Sequence, residues 1–442
     1  MLPVSTRATN TWSNWGGTAS CTPERIIAPQ STDELAAAVR EAADRGRTVK
    51  PVGAGHSFSE VAVAPDVQIA MSGFAGVRHV DREAGRVTLG AGTHLHQIPD
   101  ILEPLGLAMT NLGDVDRQTV SGATATGTHG TGVAFGGIST QIRGVTLVDG
   151  TGTVRTVAED DPDLAAAALG LGALGVLTEI TLQCVDAFAI EAVEAPGDAE
   201  ETFAGFLDAV ASTDHYEFYW FPHTTRVLTK SNTRLPADTP ASGPGSVRRY
   251  IDDELLSNKF FGALCALSAR VPGVVPTINQ VSGRALSART YTDRSDRIFI
   301  SDRGVRFREM EYALPLEAVP DALRELRAMI DRRRHRVSFP VEVRAAAADD
   351  LMLSTAAGRT SGYIAVHRYH RDDTGSARDY FRDVEQIMVA HGGRPHWGKM
   401  HTRDADYLRG VYPRFDEFLE VRGRFDPERT FANPYLTTTL GA

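Results

Sequence analysis

Pro51-Val52-Gly53-Ala54-Gly55-His56-Ser57-Phe58 closes a predicted β-strand over residues 48–52, which itself follows a predicted helix. Glycine carries no Cβ, so Gly53 and Gly55 allow the backbone to turn sharply and to approach a ligand closely. His56 comes next, on a segment with little freedom to move. An imidazole is a nucleophile as well as a base. A histidine beside a close-approach loop therefore points to a bound cofactor, and to one that can be held covalently. Taken alone, the stretch also reads as an ordinary glycine-rich turn with an exposed histidine; the rest of the chain decides between the two.

Working outward, Ser31-Thr32-Asp33-Glu34 is a capping box, a hydroxyl followed three residues later by a glutamate. The helix it starts passes through Leu35, Val39 and Ala42 and stops near Gly46. Strand-like runs follow at 67–71, 77–81 and 86–89, then a helix at 163–169 and an alternating strand at 176–183. A different texture begins near Asp186. It holds long helices at 320–333 and 377–391 and period-two strands at 307–314, 338–345 and 363–370. Residues 232–246, rich in Pro, Thr and Ser, read as a loop, and 260–275 as a short buried or surface-associated helix. The pattern is α+β: a mixed N-terminal unit and an antiparallel sheet with helices on one face. Expected boundaries are 1–185, 186–407 and a C-terminal segment, 408–442, that returns to the first unit.

The chain has 442 residues, 42% hydrophobic and 23% charged, with net charge −10, so it can bury a large core. The acidic balance argues against nucleic acid or an anionic membrane as the main partner. Arg332, Arg333 and Arg334 are the one basic cluster and read as a solvated helix end. Cys21, Cys184 and Cys265 form no CxxC pair, which argues against a disulfide framework or a metal site and fits a reducing cytosol. Residues 1–17 carry no apolar signal-peptide core, and no run reaches the length of an integral membrane helix.

Gly170-Leu171-Gly172-Ala173-Leu174-Gly175 matches the dinucleotide fingerprint GxGxxG. That fingerprint needs strand, glycines, then helix, so that a pyrophosphate meets the helix N-terminus. Here the order is reversed, and the glycines read as a helix C-cap and a tight turn. A second run, residues 121–132, holds four glycines, four threonines and no acid. Small residues expose backbone N–H groups and hydroxyls add donors, so this run suits a pyrophosphate cradle. Asn111-Leu112-Gly113-Asp114, just before it, offers polar contacts to a ring.

These loops together resemble the flavoenzymes of the vanillyl-alcohol-oxidase (PCMH) type. Within them, the resemblance is to the sugar-1,4-lactone oxidoreductases (gulonolactone, galactonolactone and arabinonolactone oxidases) and the related alditol oxidases. Val52-Gly53-Ala54-Gly55-His56-Ser57 looks like the flavin-attachment loop, and Thr126-Gly127-Thr128-His129-Gly130-Thr131-Gly132 like the pyrophosphate loop. Gly172-Ala173-Leu174-Gly175-Val176 matches the turn before the last strand of the flavin domain. His396-Trp397-Gly398-Lys399 looks like the C-terminal signature of the lactone oxidases. The match runs from about Trp12 to Tyr435.

The resemblance implies FAD as cofactor, joined through its 8α-methyl to His56. Gly53, Ala54, Gly55, Ser57, Ser121, Gly122, Thr126, Gly127, Thr128, His129, Gly130, Gly175 and Val176 would contact it. Doubly linked relatives carry a cysteine in the second loop; residues 127–132 have none, so a single bond is expected. The family's active-site glutamate and arginine match Glu342 and Arg344, its lysine Lys399, and the alditol oxidases' histidine His367. Alternation agrees: Val341 and Val343 share one strand face, Glu342 and Arg344 the other. The implied reaction is oxidation of a hydroxyl of an aldono-1,4-lactone, or of a linear polyol, with oxygen or another acceptor reoxidising the flavin.

Overall fold

The computed structural model describes residues 11–243, 261–301 and 304–442. Two sheet systems carry the fold. In the first, strands Val154–Val157, Ile142–Val148, Val176–Asp186, Arg86–Gly90 and Val77–Asp81 lie side by side and antiparallel, with Leu107–Met109 pairing the far end of Val176–Asp186. Beside them is a small parallel sheet in the order Arg25–Ile27, Val67–Ala70, Val49–Val52.

Parallel strands need a crossover, and the helix Thr32–Asp44 supplies the one from Arg25–Ile27 to Val49–Val52, which flank Val67–Ala70. Ser31 caps it by accepting the Glu34 N–H at 3.2 Å. The helix buries Leu35, Ala36, Val39 and Ala42 against the first core. The N-cap is thus where the sequence puts it, but the box is not closed: the Glu34 carboxylate accepts the Gln30 N–H at 2.8 Å rather than that of Ser31. The strand Val49–Val52 delivers the chain into the histidine loop, where Gly55 adopts φ +69°, a left-handed conformation open to glycine at little cost.

The second system is one antiparallel sheet. Its order is Arg289–Arg294, Phe188–Asp198, Arg226–Pro236, His215–Trp220, Val341–Ala346, Ser361–Tyr369, Phe307–Pro315, Arg394–Pro395. Alternation sorts its faces. Met310, Tyr312, Leu314, Val341, Val343, Ala345, Ile364 and Val366 point into a core shared with the helices Val319–Arg333 and Thr374–Ala390. Each such fully buried aliphatic side chain contributes roughly 1.5–3 kcal/mol. The opposite face carries Glu309, Glu311, Glu342, Arg344 and His367. Register then fixes who meets whom: Glu309 lies opposite His367, and Glu342 opposite Ala365.

The C-terminal helices Ala405–Val411, Phe415–Phe425 and Pro434–Leu440 pack on the first core through Leu408, Phe415, Phe418 and Leu436. Arg332–Arg334 end a helix in solvent, with Arg334 at φ 57°.

Three sequence readings need correction. Residues 232–236 are strand, not loop, because Arg226–Pro236 pairs along its whole length with Phe188–Asp198, with Asn232 also paired to His215 on the other side; residues 244–246 lie outside the described set. The strand expected from residue 338 begins at Val341, after Pro340, which has no N–H to give a ladder. The apolar run at 260–275 is not one helix: an α-helix covers Phe261–Arg270, with Cys265 and Ser268 buried and Leu267 exposed, a 3-10 turn follows at Pro272–Val274, and a second helix starts at Val275; Phe260 lies outside the described set. No helix among the described residues is long and apolar enough to cross a membrane.

Candidate active site

Two cavities meet at His56. The first is walled by Gly53, Ala54, Gly55, His56 and Ser57, by Ser121, Gly122 and Thr126, and by residues 170–175 except Ala173; Val61, Met71, Leu147 and Leu177 make much of it apolar. The second holds Glu309, Glu311, Glu342, Arg344, His367, His396 and Lys399. His56, Ser57, Gln118 and Thr126 belong to both walls, so the two form one channel.

The first cavity fits FAD by its donors. Among the described residues, the backbone N–H groups of Ala54, Gly55, His56 and Ser57 donate to no protein acceptor. These residues are half-buried, and successive free amides in a turn make a nest for an anion such as a pyrophosphate. The apolar walls suit an aromatic ring. The reversed glycine motif at 170–175 does form a turn after the helix Leu164–Ala167, with Leu171 and Gly172 both at positive φ. That turn also lines the cavity.

The second glycine run behaves differently from the expected cradle. Ser121, Gly122 and Thr126 face the first cavity, while Thr128 and His129 face the second. Gly127, Gly130 and Val176 are in neither wall. Gly130 is small because protein approaches it: a Cβ there would lie 2.2 Å from the Leu112 carbonyl oxygen and 2.5 Å from Asn111 Oδ1. Val176 is buried in the first core.

His129 is buried and stacks on Tyr363 with ring centroids 3.7 Å apart. Its Nδ1 is 2.8 Å from the Gly130 carbonyl and its Nε2 3.1 Å from Glu311 Oε1. His129, Glu311 and His396 bring ligand-type atoms within 4.8 Å of one another. His396 Nδ1 accepts the Gly398 N–H at 3.0 Å, and burial lowers His396 to about 4, so this ring is neutral.

The charged wall is built by register. Arg344, 7% exposed, lies among three carboxylates. Its Nε donates to Glu217 Oε2 at 2.8 Å, it pairs with Glu342, and Nη1 is 3.5 Å from Asp114. Burial works against its charge, but Glu342, Glu217 and Asp114 outweigh it and push its pKa well above the ordinary value. Lys399 Nζ is 2.5 Å from Glu309 Oε2. Burial lowers the Lys399 pKa, yet Glu309 and Glu311 reverse the sign and the net shift is upward. Burial likewise opposes ionisation of Glu309, and Lys399 and His367 overcome it, holding Glu309 at about 2. His367 Nε2 is 3.5 Å from Glu309 Oε1, with Nδ1 3.3 Å from the Pro340 carbonyl.

His396-Trp397-Gly398-Lys399 clamps this wall to the histidine loop. The Phe58 N–H donates to the Gly398 carbonyl at 2.6 Å, and the Ser59 hydroxyl to the Trp397 carbonyl at 2.7 Å. On the other side, the His396 and Met400 N–H groups donate to the Glu311 and Glu309 carbonyls. Trp397 is fully buried, with Nε1 donating to the Leu353 carbonyl at 2.7 Å.

His56 is the hinge of the channel. Burial, then Lys399, Arg117 and His94, lower its pKa to about 4, so it is neutral at pH 7. Glu309, Glu311 and Glu217 were not singled out in the sequence. The signal for the first two was present: Glu309 and Glu311 alternate with Met310 and Tyr312, which places two acids on the face opposite the core.

The channel, the free amides and the charged wall define an FAD-dependent oxidoreductase of the vanillyl-alcohol-oxidase type. An FAD-binding-domain profile matches residues 23–158. The chain belongs to the D-arabinono-1,4-lactone oxidase family, whose profile matches residues 180–439. It is 41% identical over 430 residues to L-gulono-1,4-lactone dehydrogenase of Mycobacterium tuberculosis strain H37Rv, covering 97% of this chain and 99% of that one. It is 32% identical over 435 residues to L-gulonolactone oxidase of Scyliorhinus torazame, covering 97% of each. Cholesterol oxidase of B. sterolicum shares the fold, with a TM-score of 0.82 at 17% identity over 100% of this chain and 99% of that one.

Proposed function

We propose that the protein oxidises a hydroxyl of an aldono-1,4-lactone of the L-gulono-1,4-lactone type. The observation that carries this is the charged wall: carboxylates, a guanidinium, an ammonium and an imidazole converge on a cleft that opens at His56. A polyhydroxylated substrate uses many hydrogen-bonding groups, whereas an apolar one would leave them unpaired. When bound, FAD supplies a hydride acceptor at N5 and passes the electrons to oxygen or another acceptor. Glu342 binds substrate hydroxyls, and Arg344 holds its carboxylate in place. Arg344 and Lys399 stabilise the negative charge that develops during hydride transfer. His367, or a water beside it, takes the hydroxyl proton. A linear polyol is the second reading, since the same wall would serve its hydroxyls. Cys21, Cys184 and Cys265 are all unpaired, which supports work in a reducing cytosol.

We further propose that His56 carries the flavin through a single covalent bond. A neutral ring nitrogen on a loop of free amides supports it. In His56→Ala, acid denaturation should release all yellow colour to the supernatant, while the parent retains it in the pellet. Bond formation needs the neutral imidazole, so its rate should stay level from pH 8 to about 5 and fall only near the His56 value of about 4. A decline centred on 6.5, the ordinary histidine value, would place His56 in a water-like setting and count against this account.

A further inference from the structure

The His56 imidazole makes no hydrogen bond through either ring nitrogen to any of the described residues. What touches it is Trp15, whose ring stacks on it with centroids 5.6 Å apart and planes 21° from parallel. The stack is not a chance contact of a loose terminus. The Trp15 N–H donates to the Gly55 carbonyl at 2.8 Å, and Asn14 Nδ2 donates to the Ser57 carbonyl at 2.8 Å. The turn 14–18 is therefore tied to the residues immediately before and after His56. Asn14 is itself 2% exposed, and its Oδ1 accepts the Thr18 and Ala19 N–H groups at 2.9 and 3.1 Å. The indole is fixed from behind by edge contacts to Phe58 and Phe307, at 6.0 and 5.1 Å between centroids. Arg306 Nε donates to the Trp15 carbonyl.

A histidine without hydrogen bonds has a broad choice of ring orientation, because its terminal torsion is soft. A stacked indole removes that choice while leaving both nitrogens unencumbered. A carboxylate or carbonyl partner would also orient the ring, but would occupy a nitrogen.

We propose that Trp15 is the positioning residue for covalent attachment: it sets the plane of the His56 imidazole from which a ring nitrogen bonds the 8α-methyl carbon of FAD. This rests on the covalent reading above. In the step, the new C–N bond replaces one methyl C–H and the imidazole N–H. The two hydrogens and the electron pair remain on the flavin, which is thereby reduced by two electrons. The acceptor that serves turnover reoxidises it, so no other reagent is needed. Trp15 contributes orientation only, and neither gains nor loses a proton.

Full-length parent, Trp15→Phe, Trp15→Leu and His56→Ala chains, produced flavin-poor, would be mixed with FAD. Total flavin after gel filtration and acid-stable flavin would be followed over time. Leucine keeps apolar bulk against Phe58 and Phe307 but has no ring to stack; phenylalanine restores a ring. Trp15→Leu should retain total FAD yet form acid-stable flavin roughly tenfold or more slowly, as expected when a reacting group loses its orientation. Trp15→Phe should stay near the parent rate. Equal acid-stable rates in the Leu and Phe variants, or a parent rate in Trp15→Leu, would overturn the role of Trp15 while leaving the His56 bond intact. Acid-stable flavin in His56→Ala would overturn the bond itself, and the proposal with it.

Discussion

Lys399→Met is expected to slow anaerobic flavin reduction by the best lactone by about 10²–10³-fold, the usual cost of one preorganised electrostatic donor at roughly 2.7–4 kcal/mol. FAD content should not change, because Lys399 is not in the wall of the first cavity, which residues 53–57, 121–126 and 170–175 help to form. The structure adds a second consequence. Lys399 holds Glu309 ionised, at about 2, against the pull of burial. Without the ammonium, Glu309 is a buried carboxylate short of its main partner, and the fold should lose stability at neutral pH. The double variant Lys399→Met with Glu309→Gln removes that unpaired charge. It should recover stability but not the reduction rate, which separates the two roles of the lysine. Stopped-flow reduction and denaturant unfolding of the same three proteins check this. A Lys399→Met variant reducing at the parent rate would remove the lysine from the mechanism.

Arg344→Gln should be the most destabilising single change in the charged wall, by about 3–5 kcal/mol. Glutamine leaves Glu342, Glu217 and Asp114 around a position that is 7% exposed without the guanidinium they share, with Lys230 Nζ 3.8 Å from Glu217 Oε1. The sign of the pH effect follows. Arg344 favours the ionised carboxylates; once it is gone, mutual repulsion and burial raise their pKa values in the folded chain. Lowering the pH from 7 toward 4 then neutralises them and relieves the repulsion, so the deficit relative to the parent should shrink. Unfolding free energies at the two pH values test it. A deficit independent of pH would mean that the loss is one of packing, not of charge.

The sequence was legible where chemistry and local pattern coincide. The N-cap at Ser31, the strand ending at Val52 and the glycine–histidine turn are local, and each stands in the structure near its predicted place. Alternation also put Glu342 and Arg344 together on one face. What it could not show was the company they keep. Glu217 reaches Arg344 because the strand His215–Trp220 pairs with Val341–Ala346, a neighbour more than a hundred residues away. Glu309 meets His367 through another long-range register. Trp15 carries no signal in the sequence, because its meaning lies in what it covers, not in its spacing.

The second glycine run shows the converse. Its small residues suggest room for phosphate, and Gly122 does line the first cavity. Gly130 makes room for the Leu112 carbonyl instead. Glycine signals close approach without saying of what. In the same way, the Pro, Thr and Ser content of 232–246 suggests a loop, and over 232–236 pairing with the long strand Phe188–Asp198 overrides it.

The most direct test of the account is anaerobic mixing of the purified flavoprotein with L-gulono-1,4-lactone, D-arabinono-1,4-lactone and xylitol while the flavin bands are followed. The account predicts bleaching by at least one lactone, faster than by xylitol, with the colour returning when an acceptor is admitted. Flavin bands that persist with every lactone, or that bleach fastest with the linear polyol, would contradict it.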